Sequence, residues 1–209
     1  MGTNNMSRSA QRDDLKPWDP RPWPTRGDDS IEVLYAAAGR ALSQWERYEG
    51  ALSLLFSAFV STALTQAARR AYRAVRRFEG RTDMLRAAAE AYFGEKPDSD
   101  LVTQFEEILQ SAINFAPRRT DIAHGVVDHF MSYPPGSTVP EDATYCLYTS
   151  GASSGNRNRN NLPSCCFSSV ELDYFFSEFY RLQEPAASVA VRIIKRDRRQ
   201  IGRSMHAKT

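Results

Sequence analysis

The residues best equipped for chemistry are Arg119 and His124, set five positions apart in the string Arg118-Arg119-Thr120-Asp121-Ile122-Ala123-His124-Gly125. Histidine is the one side chain whose ordinary titration falls near neutrality, so it can take or give a proton under cellular conditions. Arginine stays charged and presents a planar fork of donors that matches phosphate oxygens. Together they supply the minimum for cleaving RNA without a metal. The histidine moves a proton at the 2′-hydroxyl or the leaving oxygen, and the arginine offsets the charge that builds on the scissile phosphate. Five residues of regular helix turn through about 500°, so the two side chains are not stacked. They can still line one surface if Arg119 sits in an irregular first turn after Pro117. A bland alternative stands beside this one. The chain holds 27 Lys and Arg against three His, so a basic residue five positions before a histidine arises easily by chance.

Other residues invite similar weighing. Arg69, Arg73, Arg76 and Arg77 surround Tyr72 at spacings that share a helix face, which offers a track for an RNA backbone with a ring for stacking; a solvated face is the competing reading. Glu49 follows Trp45 by four residues, beside the apolar face of the first helix. It can orient Arg119 or His124, but pairing with another arginine is favoured, because buried acids are normally satisfied by a partner. Cys146, Cys165 and Cys166 form neither a disulfide framework nor a zinc-binding spacing. No cofactor or metal is expected. A formal net charge of +2 steers the molecule onto no polyanion as a whole. The start lacks a secretory pattern, and the most apolar stretch, 51–64, is shorter than the roughly 20 residues a bilayer crossing needs. The expectation is a cytoplasmic protein with no membrane partner.

The elements that must position these residues read as helices. Residues 1–29, broken by Pro17, Pro20, Pro22 and Pro24, predict a proline-rich, flexible arm, with Trp18 and Trp23 able to dock on the domain or on a partner. A helical domain follows over 30–196, and 197–209 form a basic tail. Asp29 with Glu32 has capping-box spacing. Leu34, Leu42, Trp45, Tyr48, Leu52, Leu55, Phe56 and Phe59 then recur every three or four residues. A second, basic helix is expected over about 65–78, ended by Gly80, with Thr82 capping a third. Asp98 or Ser99 opens a fourth helix, and Pro117 breaks the chain before a fifth over about 118–131 that carries the candidate site. Tyr145, Leu147 and Tyr148 suggest a strand, with Cys165-Cys166-Phe167 its partner. The Gly-, Ser- and Asn-rich stretch 150–164 reads as a mobile loop. A last helix starts near Ser168 or Ser169, capped by Glu171, and Pro185 kinks or ends it before the tail. The fold class is mainly α, an up-and-down helical bundle with a small β-hairpin-like insertion near 143–167.

The string Arg119-Thr120-Asp121-Ile122-Ala123-His124-Gly125 resembles the R-x4-6-H signature of HEPN domains, helical proteins that include many toxin and defence ribonucleases. The long first helix with Trp45, Glu49, Leu52 and Phe56 looks like the opening helix of such proteins, and the resemblance spans about residues 31–182. It implies Arg119 as phosphate ligand and His124 as acid–base residue, with Arg118, Thr120, Asp121 and Glu49 in support. It also implies a homodimer whose two motifs share one cleft, RNA as substrate, a 2′,3′-cyclic phosphate product, and an antitoxin or regulatory protein as partner. Thr120 stands where the family commonly has Asn, Asp or His. Two other classes compete: a non-catalytic HEPN-like dimerisation and binding module, and a DNA-binding helical regulator using the helix around Arg73. No helix-turn-helix pattern supports the last.

Overall fold

The computed structural model describes residues 15–60, 66–131, 144–149 and 165–206. Among them are five helices, α1 (Ile31–Val60), α2 (Gln66–Ala74), α3 (Phe78–Glu95), α4 (Ser99–Ala123) and α5 (Ser169–His206), and three strands, β1 (Val126–Phe130), β2 (Thr144–Tyr148) and β3 (Cys166–Phe167). The fold is mainly α with a small antiparallel sheet, as the periodicity predicts. No helix among the described residues is long and apolar enough to cross a membrane. The expected loop 150–164 lies outside the described residues. Contacts gather into two compact units, Met1–Leu42 with Pro117–Glu178 and Ser43–Ala116 with Phe179–Thr209.

The first unit holds the sheet, in the order β1-β2-β3. Val126 pairs with Tyr148 and Phe130 with Thr144, while Tyr148 also faces Cys166 on β3. Phe130, Cys146 and Cys166 form its buried core, and Phe167 meets Phe175 of α5 with ring centres 5.7 Å apart. Residues 15–30 are tied to this unit. The Trp23 ring lies 6.0 Å from Tyr148 and 6.5 Å from Phe130, and the Arg21 guanidinium sits 3.9 Å over Tyr174. Asp28 exchanges both backbone hydrogen bonds with Tyr145, and its carboxylate accepts from the Ser169 amide at 2.7 Å. One residue thus fastens the arm to the sheet through its backbone and to the start of α5 through its carboxylate. Glycine is required just before it, because a Cβ on Gly27 would meet the Tyr145 carbonyl.

The second unit is built on aromatic packing. The Trp45 ring stands 5.0 Å from Phe179, and 5.5 Å from both Tyr48 and Phe78. Phe59 contacts Tyr92, Phe93 and Phe105. The end of α5 is held by charge: Arg192 reaches Asp100 at 2.6 Å, Arg196 reaches Asp98 at 3.1 Å, and Asp197 takes Lys96 at 2.9 Å. Asp197 opens the stretch read as a tail yet is paired within the fold, and α5 continues through that stretch to His206.

Several expected boundaries move. Ser30, not Asp29, caps α1, its hydroxyl accepting from the Glu32 amide at 3.2 Å; Asp29 is spent on Arg26. Gly80 lies inside α3, whose first turn passes so close to Val75 that a Cβ there would sit 3.0 Å from its methyl. Thr82 caps nothing and donates to the Glu79 carbonyl instead. Pro117 and Pro185 both lie inside helices. Asp98 opens α4 through the Leu101 amide, and Ser168 with Glu171 closes a capping box at α5. The predicted helix over 118–131 does not form: α4 carries through Pro117 to Ala123, and the β-branched pair Val126-Val127 opens a strand.

Candidate active site

The candidate string is the last part of α4 and the turn that leaves it. The His124 amide still donates to the Thr120 carbonyl at 3.1 Å, and the Gly125 amide donates to Ile122 at 3.4 Å. Gly125 is required by close approach. A Cβ there would collide with the Leu147 side chain on β2 and sit 3.1 Å from the Asp121 carbonyl. With glycine, α4 turns directly onto the sheet and leaves His124 exposed at the helix end.

Arg119 is half-buried, and it does not sit in an irregular first turn. It lies well inside a continuous helix, so the condition for aligning it with His124 is not met. Five residues of regular helix leave the two side chains about 140° apart round the axis. Thr120 is half-buried, with its carbonyl spent on the His124 amide.

Arg118 and Asp121 form a packed pair at 3.0 Å, their side chains 14% and 6% exposed. The same guanidinium donates to the Cys165 sulfur at 3.8 Å, which lies 4.0 Å from the Asp121 carboxylate and 3.8 Å from the Thr149 hydroxyl. This cluster pins the last turns of α4 to the place where β3 begins. Burial pushes the Asp121 carboxyl up from the usual carboxylate range, and Arg118 pulls it back only in part. Both residues are expected site support, but the thiol between them is not foreseen from the sequence. The i, i+3 spacing of Arg118 and Asp121 was the available signal. Nearby, a hydrogen bond with Cys146, and then burial, push the Cys166 thiol up, so this buried thiol is a poor nucleophile.

The remaining predicted residues belong to the second unit. Glu49 accepts from the Trp45 indole at 2.8 Å and from Arg81 at 3.1 Å, the structural pairing favoured from sequence. Of the basic cluster, Arg69 and Arg73 lie on α2, whereas Arg76 and Arg77 fall beyond its end, so the four do not share one helix face. Arg70, Arg73, Arg76 and Arg77 are exposed and have no acidic partner among the described residues. Tyr72 is buried against Phe56 and unavailable for stacking on a base. Burial, and then the Glu49 charge, raise its hydroxyl well above the usual phenol range. Among the described residues no three His, Cys, Asp or Glu side chains are placed to hold a metal ion. Comparison with protein-family models, with curated proteins and with solved structures finds no match for this chain.

Proposed function

We propose that this protein is a metal-independent endoribonuclease of HEPN type, working as a two-fold dimer in toxin or antiphage defence under an antitoxin or other regulatory partner. The observation that carries the reading is the exposed imidazole of His124 at the end of α4, five residues after Arg119. In the reaction a histidine takes the 2′-hydroxyl proton, O2′ bonds to phosphorus, and the P–O5′ bond breaks as the leaving oxygen gains a proton. The products are a 2′,3′-cyclic phosphate and a 5′-hydroxyl. One histidine cannot readily be base and acid in the same step, and a two-fold axis would supply a second. Arg119 would hold the phosphate, and the exposed arginines 70, 73, 76 and 77 are suited to a polyanionic backbone.

A second reading is a non-catalytic HEPN-like module that dimerises and binds protein, nucleotide or RNA. The continuous α4 favours it, since regular helical phase sets Arg119 and His124 about 140° apart round the axis and does not by itself aim them at one phosphate.

RNA cleavage in EDTA separates the readings. Under the first, the wild type cuts, His124→Ala and Arg119→Ala do not, and a deoxynucleotide at the scissile position blocks cutting. Equal cutting of DNA, or undiminished cutting by both variants, rules out this mechanism. Binding of RNA without cleavage by the wild-type dimer favours the module.

A further inference from the structure

Within the second unit a cavity of about 210 Å3 opens to solvent. One face of α4 contributes Gln104, Glu107, Ile108 and Ser111, and one face of α5 contributes Leu182, Pro185 and Val189. Tyr48 of α1 completes the lining, with its hydroxyl spent on the Ile108 carbonyl at 3.1 Å. The ring therefore offers apolar surface rather than a donor. The Gln104 amide is committed too, donating to Asp100 at 3.0 Å and accepting from Arg192 at 2.8 Å. Arg192 is itself held by Asp100 at 2.6 Å. Glu107 differs: it is exposed and has no cationic partner among the described residues. The cavity is thus an apolar recess with one uncompensated carboxylate.

Size limits the occupant. An apolar cavity of about 150 Å3 admits a benzene ring, and pockets for drug-sized molecules start at roughly 300 Å3. A single ring or short branched chain with one small polar group fits between those limits. We propose that this cavity binds a small hydrophobic organic cation, its apolar body against Ile108, Leu182, Pro185 and Val189 and its ammonium on the Glu107 carboxylate. Desolvation of the body supplies affinity, and the carboxylate selects the sign of charge. The inference does not rest on the ribonuclease reading, because every lining residue belongs to the unit that lacks Arg119 and His124.

The test is calorimetric titration of the full chain with three isosteric probes: 2-phenylethylammonium, 2-phenylethanol and 3-phenylpropionate. The expected result is saturable binding at one site, with the ammonium about tenfold tighter than the alcohol and the carboxylate weakest. Glu107→Gln, on an exposed position, should abolish the preference for the cation while leaving the affinity for the alcohol unchanged. Ser111→Leu should fill the recess and weaken all three. No saturable binding of any probe, equal affinity for ammonium and carboxylate, or a cation preference that survives Glu107→Gln would overturn the proposal.

Discussion

The same substitution, glycine to alanine, should act with opposite sign at two positions of this chain. At Gly125 a new methyl would collide with the Leu147 side chain, with its Cγ only 2.7 Å away and the Asp121 carbonyl at 3.1 Å. Leu147 is 3% exposed and paired with Val127 across the sheet, so it cannot swing into solvent. Overpacking of this kind costs about 1–3 kcal/mol, and the closeness of two leucine carbons places Gly125→Ala near the middle, about 2 kcal/mol. For a chain of this length that lowers Tm by roughly 4–8 °C. Gly39, by contrast, lies exposed inside α1 with nothing within 4 Å of a prospective Cβ. There the methyl only restricts the unfolded chain and improves helix propensity, which stabilises by about 0.5–1 kcal/mol. Urea unfolding followed by circular dichroism measures both. A wild-type midpoint for Gly125→Ala, or shifts of the same sign in the two variants, would refute the close-packed turn behind His124.

Two further outcomes follow from charge. Glu49→Ala strands the Arg81 side chain, 17% exposed, and should cost about 3–5 kcal/mol, whereas Glu49→Leu with Arg81→Met should cost clearly less; a double variant as unstable as the single one would contradict a satisfied pair. Asp121 titrates with the opposite sign to most acids. Burial raises its carboxyl above the unfolded value of about 3.9, so its contribution is fully present below that value and is lost as pH rises through the folded value. Unfolding midpoints should therefore show the wild type gaining on Asp121→Asn as pH falls from neutral into the acid range, and a flat difference would argue against the burial.

What was legible in the sequence depended on how far each signal reached. The stripe of Leu34, Leu42, Trp45, Tyr48, Leu52, Leu55, Phe56 and Phe59 is buried as its period predicts, save for the half-buried Leu42, because a repeat of many residues averages out local noise. A proline is only a local signal, and both Pro117 and Pro185 are overridden by packing. Ending α4 at Pro117 saves about 3 kcal/mol of proline penalty. It would also unseat Ile122, worth about 1.5–3 kcal/mol, and release the Arg118–Asp121–Cys165 cluster. The comparison at Pro185 is more one-sided, since Val189, Ile193 and Ile194 are all buried beyond it. In both helices the apolar stripe runs through the proline without a change of phase, and that continuity was readable.

The site was legible as residue types but not as directions. The spacing of Arg119 and His124 says what chemistry they can do together only if the backbone between them is known, and that backbone was set by whether Pro117 breaks the helix. Once packing keeps the helix whole, His124 falls at its exposed end and Arg119 turns about 140° away from it. Arg118 and Asp121 then meet one turn apart and close on Cys165, a partner 44 residues distant from Asp121 that no local pattern could name. Glu49 shows the same limit from the other side. Its need for a cation follows from burial alone, but the choice of Arg81 over the other basic residues rests on how α3 packs, with Phe78 against Trp45. Under the ribonuclease reading a second copy of the chain would complete the Arg–His pair, and the sedimentation behaviour of wild type and Arg119→Ala, set beside their cleavage of RNA, distinguishes a lost dimer from a lost phosphate ligand.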